Sequence, residues 1–350
     1  MLNGGYIYLE GIMTSVIESE LAGIVGQYLS HESTGIIIKE KVKIMWIKQV
    51  TPLIGVKDCR VIPEGASELL VESKFVPPAS LDWHTQGFVP PLSVGDAPYI
   101  YDSHGSMRFA LRRDERLLPM SIVRAKVGEA VKKIEAEDGR KVGRRERIAL
   151  RENVIDTLLP KALCRTNITE ALYDDESEMM FIGTSSTNKA DSMVSALRIA
   201  WGGLAMRLIR TKVSPKTVMT NWLQQQECEG GFELGDSCVL AAVGPRPSTV
   251  RIKNTVLECQ EVMTHLENGK HVLELNLVWN GQVAFTLDEN MCMKSIEWLS
   301  HVTEEAANAG DDLVSIYSVA QIIMTQTLVM IYNELIELMG GLITEGNENE

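Results

Sequence analysis

A chain of 350 residues with 45% hydrophobic and 23% charged residues is long enough for two or three subdomains and a sizeable core. Its formal net charge of -13 excludes a histone-like or tail-driven polyanion binder, so any nucleic-acid site must be local. The six cysteines (Cys59, Cys164, Cys228, Cys238, Cys259 and Cys292) form no Cys-x-x-Cys pair and no Cys/His cluster with zinc spacing, which reads as reduced thiols in a cytoplasmic protein without structural zinc.

Residues 1–44 are Gly-rich and mixed in character, with no basic start followed by a continuous apolar core, so no secretory signal is read there. They form either a mobile extension or upstream sequence preceding an alternative initiator at Met45. Residues 45–118 read mainly as strands. An alternating run covers 45–61, and Gly65, Pro77-Pro78, Pro90-Pro91 and Gly95 supply turns. A hairpin is expected from 99–101 and 107–111 around Asp102-Ser103-His104-Gly105.

Residues 119–165 read as a basic helical segment. Pro119 suits a helix start, and Val123, Val127, Val131 and Ile134 recur at helical spacing. A polar, Gly-broken stretch at 135–143 ends this helix. A second helix carries Leu150, Val154 and Leu158 on one side. If it reaches back far enough, Arg140, Arg144, Arg147 and Arg151 form one stripe. Residues 166–341 mix strands and helices. Hairpins are expected over 172–184 and around Asn280-Gly281, helices over 189–201, 217–225, 258–267 and 313–338, and a strand over 249–257. An acidic tail, 342–350, closes the chain. Strands and helices without regular βαβ repetition give an α+β class with antiparallel sheets and long helices.

Residues 313–333 carry no formal charge and are long enough to span a bilayer. They include Ser315, Gln321, Thr325 and Gln326 and lack flanking Lys or Arg, so they read as a buried helix of a non-membrane protein.

No Walker-type loop, G-x-G-x-x-G, H-E-x-x-H or G-x-S-x-G occurs, so no cofactor and no catalytic residue is nominated. Asp174-Asp175-Glu176 and Asp311-Asp312 are the acidic clusters open to a metal-dependent nuclease. Adjacent carboxylates are ordinarily turn and cap residues, whereas two-metal chemistry needs carboxylates from separate elements. The positive signal is basic. Residues 108–165 hold sixteen Lys/Arg against nine Asp/Glu, against the sign of the whole chain. Lys126, Lys132, Lys133, Arg140, Arg144, Arg145, Arg147 and Lys161 are the candidate phosphate contacts. Arg251 and Lys253, alternating on a strand, form a second patch. No base-reading helix is evident, so sequence preference is not expected.

Several motifs occur in the order of one family. Met45-Trp46-Ile47-Lys48-Gln49 is similar to its opening, and Gly87-Phe88-Val89-Pro90-Pro91 to its Gly-Trp-Val-Pro-Pro. Leu117-Leu118-Pro119 and Leu158-Leu159-Pro160-Lys161-Ala162 bracket the basic helices. Asn221-Trp222, Gly231-Phe232-Glu233-Leu234, Arg251-Ile252-Lys253, and His265 to Lys270 running into Leu275-Asn276-Leu277-Val278-Trp279 follow. Leu338-Met339-Gly340-Gly341 ends the match. Over 45–341 the chain thus resembles RdgC, the bacterial recombination-associated DNA-binding family. The resemblance implies a non-enzymatic homodimer closed into a ring around single- or double-stranded DNA. It also implies a cytoplasmic, nucleoid-associated protein that limits RecA access during recombination and replication-fork repair, with no membrane partner. Two departures stand out. Leu163 occupies the place of a family Phe tied to ring closure, and is carried over as an interface residue. Asn254 and Thr255 replace a further Lys and Gln. The alternatives are a metal-dependent nuclease and a protein-interaction scaffold that has lost DNA binding.

Overall fold

The computed structural model describes residues 46–57, 59–92, 97–244, 247–310 and 312–343. The extension with Met45, most of the acidic tail, Gly95 and Asp311 fall outside them.

Two antiparallel sheets organise the chain, in agreement with the α+β expectation. The first contains β1 (Thr51–Gly55), β2 (His84–Val89), β3 (Tyr101–Ser103), β4 (Ser106–Leu117), β5 (Leu163–Asp174), β6 (Met179–Ile182) and β7 (Met206–Leu208). Its order is β2-β4-β5-β6-β1-β7, with β3 also paired to β4. The second contains β8 (Phe232–Ala241), β9 (Thr249–Ile252), β10 (His271–Trp279), β11 (Val283–Asp288) and β12 (Met293–Trp298), in the order β12-β11-β10-β8-β9. The helices are α1 (Ala66–Glu72), α2 (Met120–Asp138), α3 (Arg144–Leu158), α4 (Thr187–Trp201), α5 (Pro215–Gln225), α6 (Gln260–Glu267), α7 (Ser300–Ala307) and α8 (Leu313–Leu338).

Turn chemistry sets the hairpins. Asn280 (φ 47°) and Gly281 (φ 61°) both take the left-handed conformation in the tight turn between β10 and β11, which Gln282 N–H closes by donating to Trp279 O (2.8 Å). His104 (φ 54°) and Gly105 (φ 83°) do the same between β3 and β4. The first strand of this hairpin therefore lies two residues later than expected, while the turn falls within the expected 102–105. Among the described residues of the run over 45–61, β1 is the one strand. Helix α1, unread in the sequence, has seven residues and two buried side chains, Ala66 and Leu70, too few for a periodic signal.

Helix α8 lies between the two sheets. Toward the first, the Gln321 amide donates to the carbonyls of Tyr101 (3.1 Å) and Ser106 (2.6 Å). The Ser106 and Thr325 hydroxyls meet at 2.7 Å. Toward the second, the Tyr332 hydroxyl donates to Met291 O (2.8 Å), and Glu334 accepts from Trp279 Nε1 (2.7 Å) and Gly231 N (2.6 Å). By length and composition α8 could cross a membrane, and half of its most apolar window is buried inside the fold. Several polar residues along this otherwise apolar stretch are the ones that bond to the sheets.

Gly87 illustrates how tightly the edge of the first sheet is covered. Residues 73–75 run beside β2, with Phe75 N–H donating to Phe88 O (2.9 Å) and Phe88 N–H to Ser73 O (3.0 Å). A Cβ on Gly87 would overlap the Phe75 backbone. Gly87→Ala is expected to destabilise the protein by about 3 kcal/mol, because main chain must move to admit the methyl. A thermal unfolding midpoint equal to the parent's would contradict this.

Candidate nucleic-acid interface

Strands β4 and β5 form one long ladder, from Ser106 opposite Asp174 to Leu117 opposite Leu163. Between them the chain makes a helical hairpin of α2 and α3, inserted at the far end of the ladder. Gly139 (φ 66°) stops α2, and Gly143 precedes α3. Helix α2 buries Val123 and Val131, whereas α3 buries no side chain fully. The hairpin is thus an arm with most of its surface in solvent, a geometry suited to a large ligand.

The local excess of cations is not a property of helices alone, and the segment expected to be helical over 119–165 gives way to β5 at Leu163. Arg108, Arg112, Arg113 and Arg116 lie on β4, and Arg165 on β5. Arg108 is buried, pairs with Glu170 and stands 4.8 Å over the Tyr317 ring. Arg112 makes a two-pronged pair with Asp114 (2.9 and 2.7 Å), which raises the guanidinium's pKa and lowers that of the carboxyl. Arg108–Glu170 and Arg165–Glu115 pair across the β4–β5 ladder. Periodicity could not separate them from surface cations, because the count of charges ignores which side chains point inward.

Ion pairing divides the candidate phosphate contacts. Lys126 pairs with Glu129 (2.8 Å), Lys133 with Glu137 (3.9 Å), Arg140 with Glu146 (2.7 Å) and Asp138 (3.2 Å), and Arg147 with Glu135 (3.7 Å). Helix α3 begins at Arg144, so Arg140 sits in the interhelical loop and outside the expected stripe. Hydrogen bonds from Arg140 to Glu146 hold the guanidinium above its usual pKa. Arg147 and Glu135 clamp the loop: Arg147 Nε donates to Val142 O (3.3 Å), and Glu135 accepts from Val142 N (3.2 Å). By contrast Lys132, Arg144, Arg145 and Lys161 are exposed and form no ion pair among the described residues.

Arg251 and Lys253 also lack ion pairs among the described residues, and both border a cleft of about 680 Å³ on the outer face of the second sheet. The strand expected over 249–257 stops at Ile252, so Lys253 lies just beyond the ladder. Asn254 adopts φ 53°, a conformation that Asn tolerates, and Thr255 N–H donates to Asp236 O (3.0 Å). The cleft also contains Lys294, which was not legible as a site residue because β12 has no clear sequence signal. Its ammonium lies 2.9 Å from Glu274 and 3.0 Å from Asp288. Asp236, Glu274 and Glu297 line the same cleft, so its cations face acids. The arm is the more uniformly available positive surface.

Leu163 is 79% exposed and stands directly opposite Leu117, itself 45% exposed. The pair puts apolar surface in water at the root of the arm.

Among the described residues, neither Asp174-Asp175-Glu176 nor Asp312 converges with other carboxylates. Asp174 accepts from Ser177 N (2.8 Å) as a turn residue, and Asp312 caps α8 by accepting from Ser315 N (2.9 Å). The Ser315 hydroxyl and amide lower the Asp312 pKa. Among the described residues no group of three or more His, Cys, Asp or Glu is placed to hold a metal ion. The six cysteines are all free thiols, and burial pushes Cys228 up to about 12 and Cys238 to about 11.

Residues 45–342 match the family model described as "Putative exonuclease, RdgC". The chain is 34% identical over 297 residues to the recombination-associated protein RdgC of Neisseria meningitidis serogroup C, covering 85% of this chain and 99% of that protein. It is 34% identical to the Laribacter hongkongensis protein of that name over 297 residues, with the same coverage. It is 31% identical to the Pseudomonas aeruginosa one over 299 residues, covering 85% of this chain and 98% of that protein. Ordered motifs over a long stretch, matched at this identity across nearly the whole length of these relatives, place the chain in the RdgC family.

Proposed function

We propose that the chain binds single- and double-stranded DNA without sequence preference, as a homodimer closed into a ring, and so limits access of a RecA-type recombinase to DNA. The observation that carries this reading is the set of exposed cations without carboxylate partners on the arm of a chain whose net charge is -13. An ammonium or guanidinium not already neutralised is what releases counterions from a phosphate backbone, and no base contact is needed. The relatives' name, recombination-associated, supplies the process. Such a protein would act on the nucleoid, during recombination and replication-fork repair. The exposed Leu163–Leu117 pair supports self-association, since apolar surface at the base of an arm is covered when a second copy meets it.

Fluorescence anisotropy of labelled single- and double-stranded oligonucleotides of unrelated sequence, across a salt series, tests the reading. Binding is expected to be indifferent to sequence and to weaken linearly on a log–log salt plot. Absence of binding at low salt would leave the scaffold alternative. The family model's wording keeps nuclease activity in view. The same oligonucleotides incubated with Mg²⁺ are expected to stay full length, and shortening would favour the exonuclease reading. Leu163→Asp is expected to shift the dimer toward monomer in sedimentation, and an unchanged dimer would remove Leu163 from the interface.

A further inference from the structure

Arg116 is the hub of a junction at the root of the arm. Its guanidinium donates to the carbonyls of Asp82 (3.2 Å), Pro78 (3.4 Å), Ala79 (3.2 Å), Leu159 (3.0 Å) and Pro160 (3.3 Å). Its own N–H donates to Trp83 O at 2.8 Å. The acceptors are all uncharged, so the guanidinium keeps its full positive charge. The staple draws residues 78–82 and the turn at 159–161 to one group. Trp83 and Lys161, each one residue from a stapled carbonyl, become neighbours of the same cation. The β2–β4 register continues to place Trp83 opposite Arg116, and Arg116 stands opposite Cys164. These three side chains therefore occupy one face of the sheet in a row.

Trp83 is 40% exposed, whereas the other five tryptophans are at most 8% exposed. A single exposed aromatic has no meaning by itself. Here it pairs with Arg116 through the main chain, and Lys161 directly follows Pro160, whose carbonyl Arg116 holds; neither cation is in an ion pair among the described residues. The nearby carboxylates are engaged: Asp82 accepts from Ala79 N (3.0 Å), Glu115 pairs with Arg165 (3.1 Å) and Asp114 with Arg112 (2.7 Å). An aromatic face with an available cation nearby, here Lys161, is the combination that holds single strands, the ring stacking on a base and the cation meeting a phosphate. In a duplex the base faces are already stacked on one another and closed to a side chain.

We propose that Trp83 stacks on an unpaired nucleobase of single-stranded DNA, with Lys161 on an adjoining phosphate. This rests on the DNA-binding reading above and adds to it a residue that favours single strands.

Titration of the full-length protein with oligothymidylate and with a duplex, read by tryptophan emission and by anisotropy, decides the matter. Oligothymidylate is expected to quench the emission of the parent. Trp83→Phe abolishes the quenching and keeps affinity within about threefold, because a phenyl ring still stacks. Trp83→Ala weakens single-strand binding by about 5- to 30-fold, with duplex affinity within about twofold and the unfolding midpoint unchanged. Quenching that survives in Trp83→Phe, or parent-like single-strand affinity in Trp83→Ala, overturns the assignment while leaving the DNA-binding reading intact. A parent protein that binds neither oligonucleotide overturns both.

Discussion

Glu170→Ala is expected to lower the unfolding free energy by about 1–3 kcal/mol. The Arg108 side chain is 1% exposed, inserted between the first sheet and α8, with its guanidinium over the Tyr317 ring at 4.8 Å. Glu170, on the neighbouring strand, is a carboxylate partner. Removing it deletes a charge-assisted hydrogen bond to an almost fully buried guanidinium, a larger cost than losing an exposed pair. Urea denaturation should show a lower midpoint at unchanged slope, because the surface exposed on unfolding stays the same. The double variant Arg108→Met, Glu170→Leu is expected to recover part of the loss, since an apolar pair of similar volume removes both members of the ion pair. If the double variant falls as far as Glu170→Ala, the cost belongs to packing against α8 rather than to the lost ion pair.

The same stretch of α8 explains how two sheets share one helix. Gln321 and Thr325 bond to the β3–β4 hairpin, while Tyr332 and Glu334 bond to the second sheet. A wholly apolar helix would pack at several rotations. These hydrogen bonds select one, because each misplacement would leave a buried polar group unmatched. Through Ser106 and Gln321 the helix fixes the near end of the β4–β5 ladder. The arm at the far end is therefore carried on a rigid base.

What was legible in the sequence follows from the strength of each local signal. Helix α8, the α2 stripe and the Asn280-Gly281 turn were readable, because apolar periodicity or two consecutive positive-φ residues determine local structure without tertiary help. Strands β7, β8 and β12 and helices α1 and α7 were not, being short or dependent on neighbours. At the candidate site the residue type was legible and its availability was not. Arg140 and Arg147 look like Arg144 in the sequence, but their carboxylate partners are fixed by how the loop at 139–143 folds back. Arg116 read as one cation among many, because a guanidinium surrounded by carbonyls has no sequence signature. The bend that brings Pro78 and Pro160 together is tertiary.

Converting Lys132, Arg144, Arg145 and Lys161 to Ala together is expected to weaken DNA binding by about a hundredfold or more near 0.1 M salt, and to shallow the log–log salt slope by roughly 0.9 for each phosphate that is no longer neutralised. All sequences should be affected alike, since the bases are not read by these side chains. The matched control converts Lys126, Lys133 and Arg140, whose charges already face Glu129, Glu137 and Glu146. An exposed pair of opposite charges presents little net field to a polyanion, so this set should leave the slope nearly unchanged. Arg147→Ala differs from both. It breaks the clamp with Glu135 and Val142, and should raise hydrogen exchange in the 139–143 loop more than it alters the salt slope. Equal reductions in slope for the paired and unpaired sets would show that carboxylate pairing does not decide which cations meet phosphate. Distinct slopes would locate the binding surface on the arm, with the total number of phosphates neutralised read from the parent slope itself.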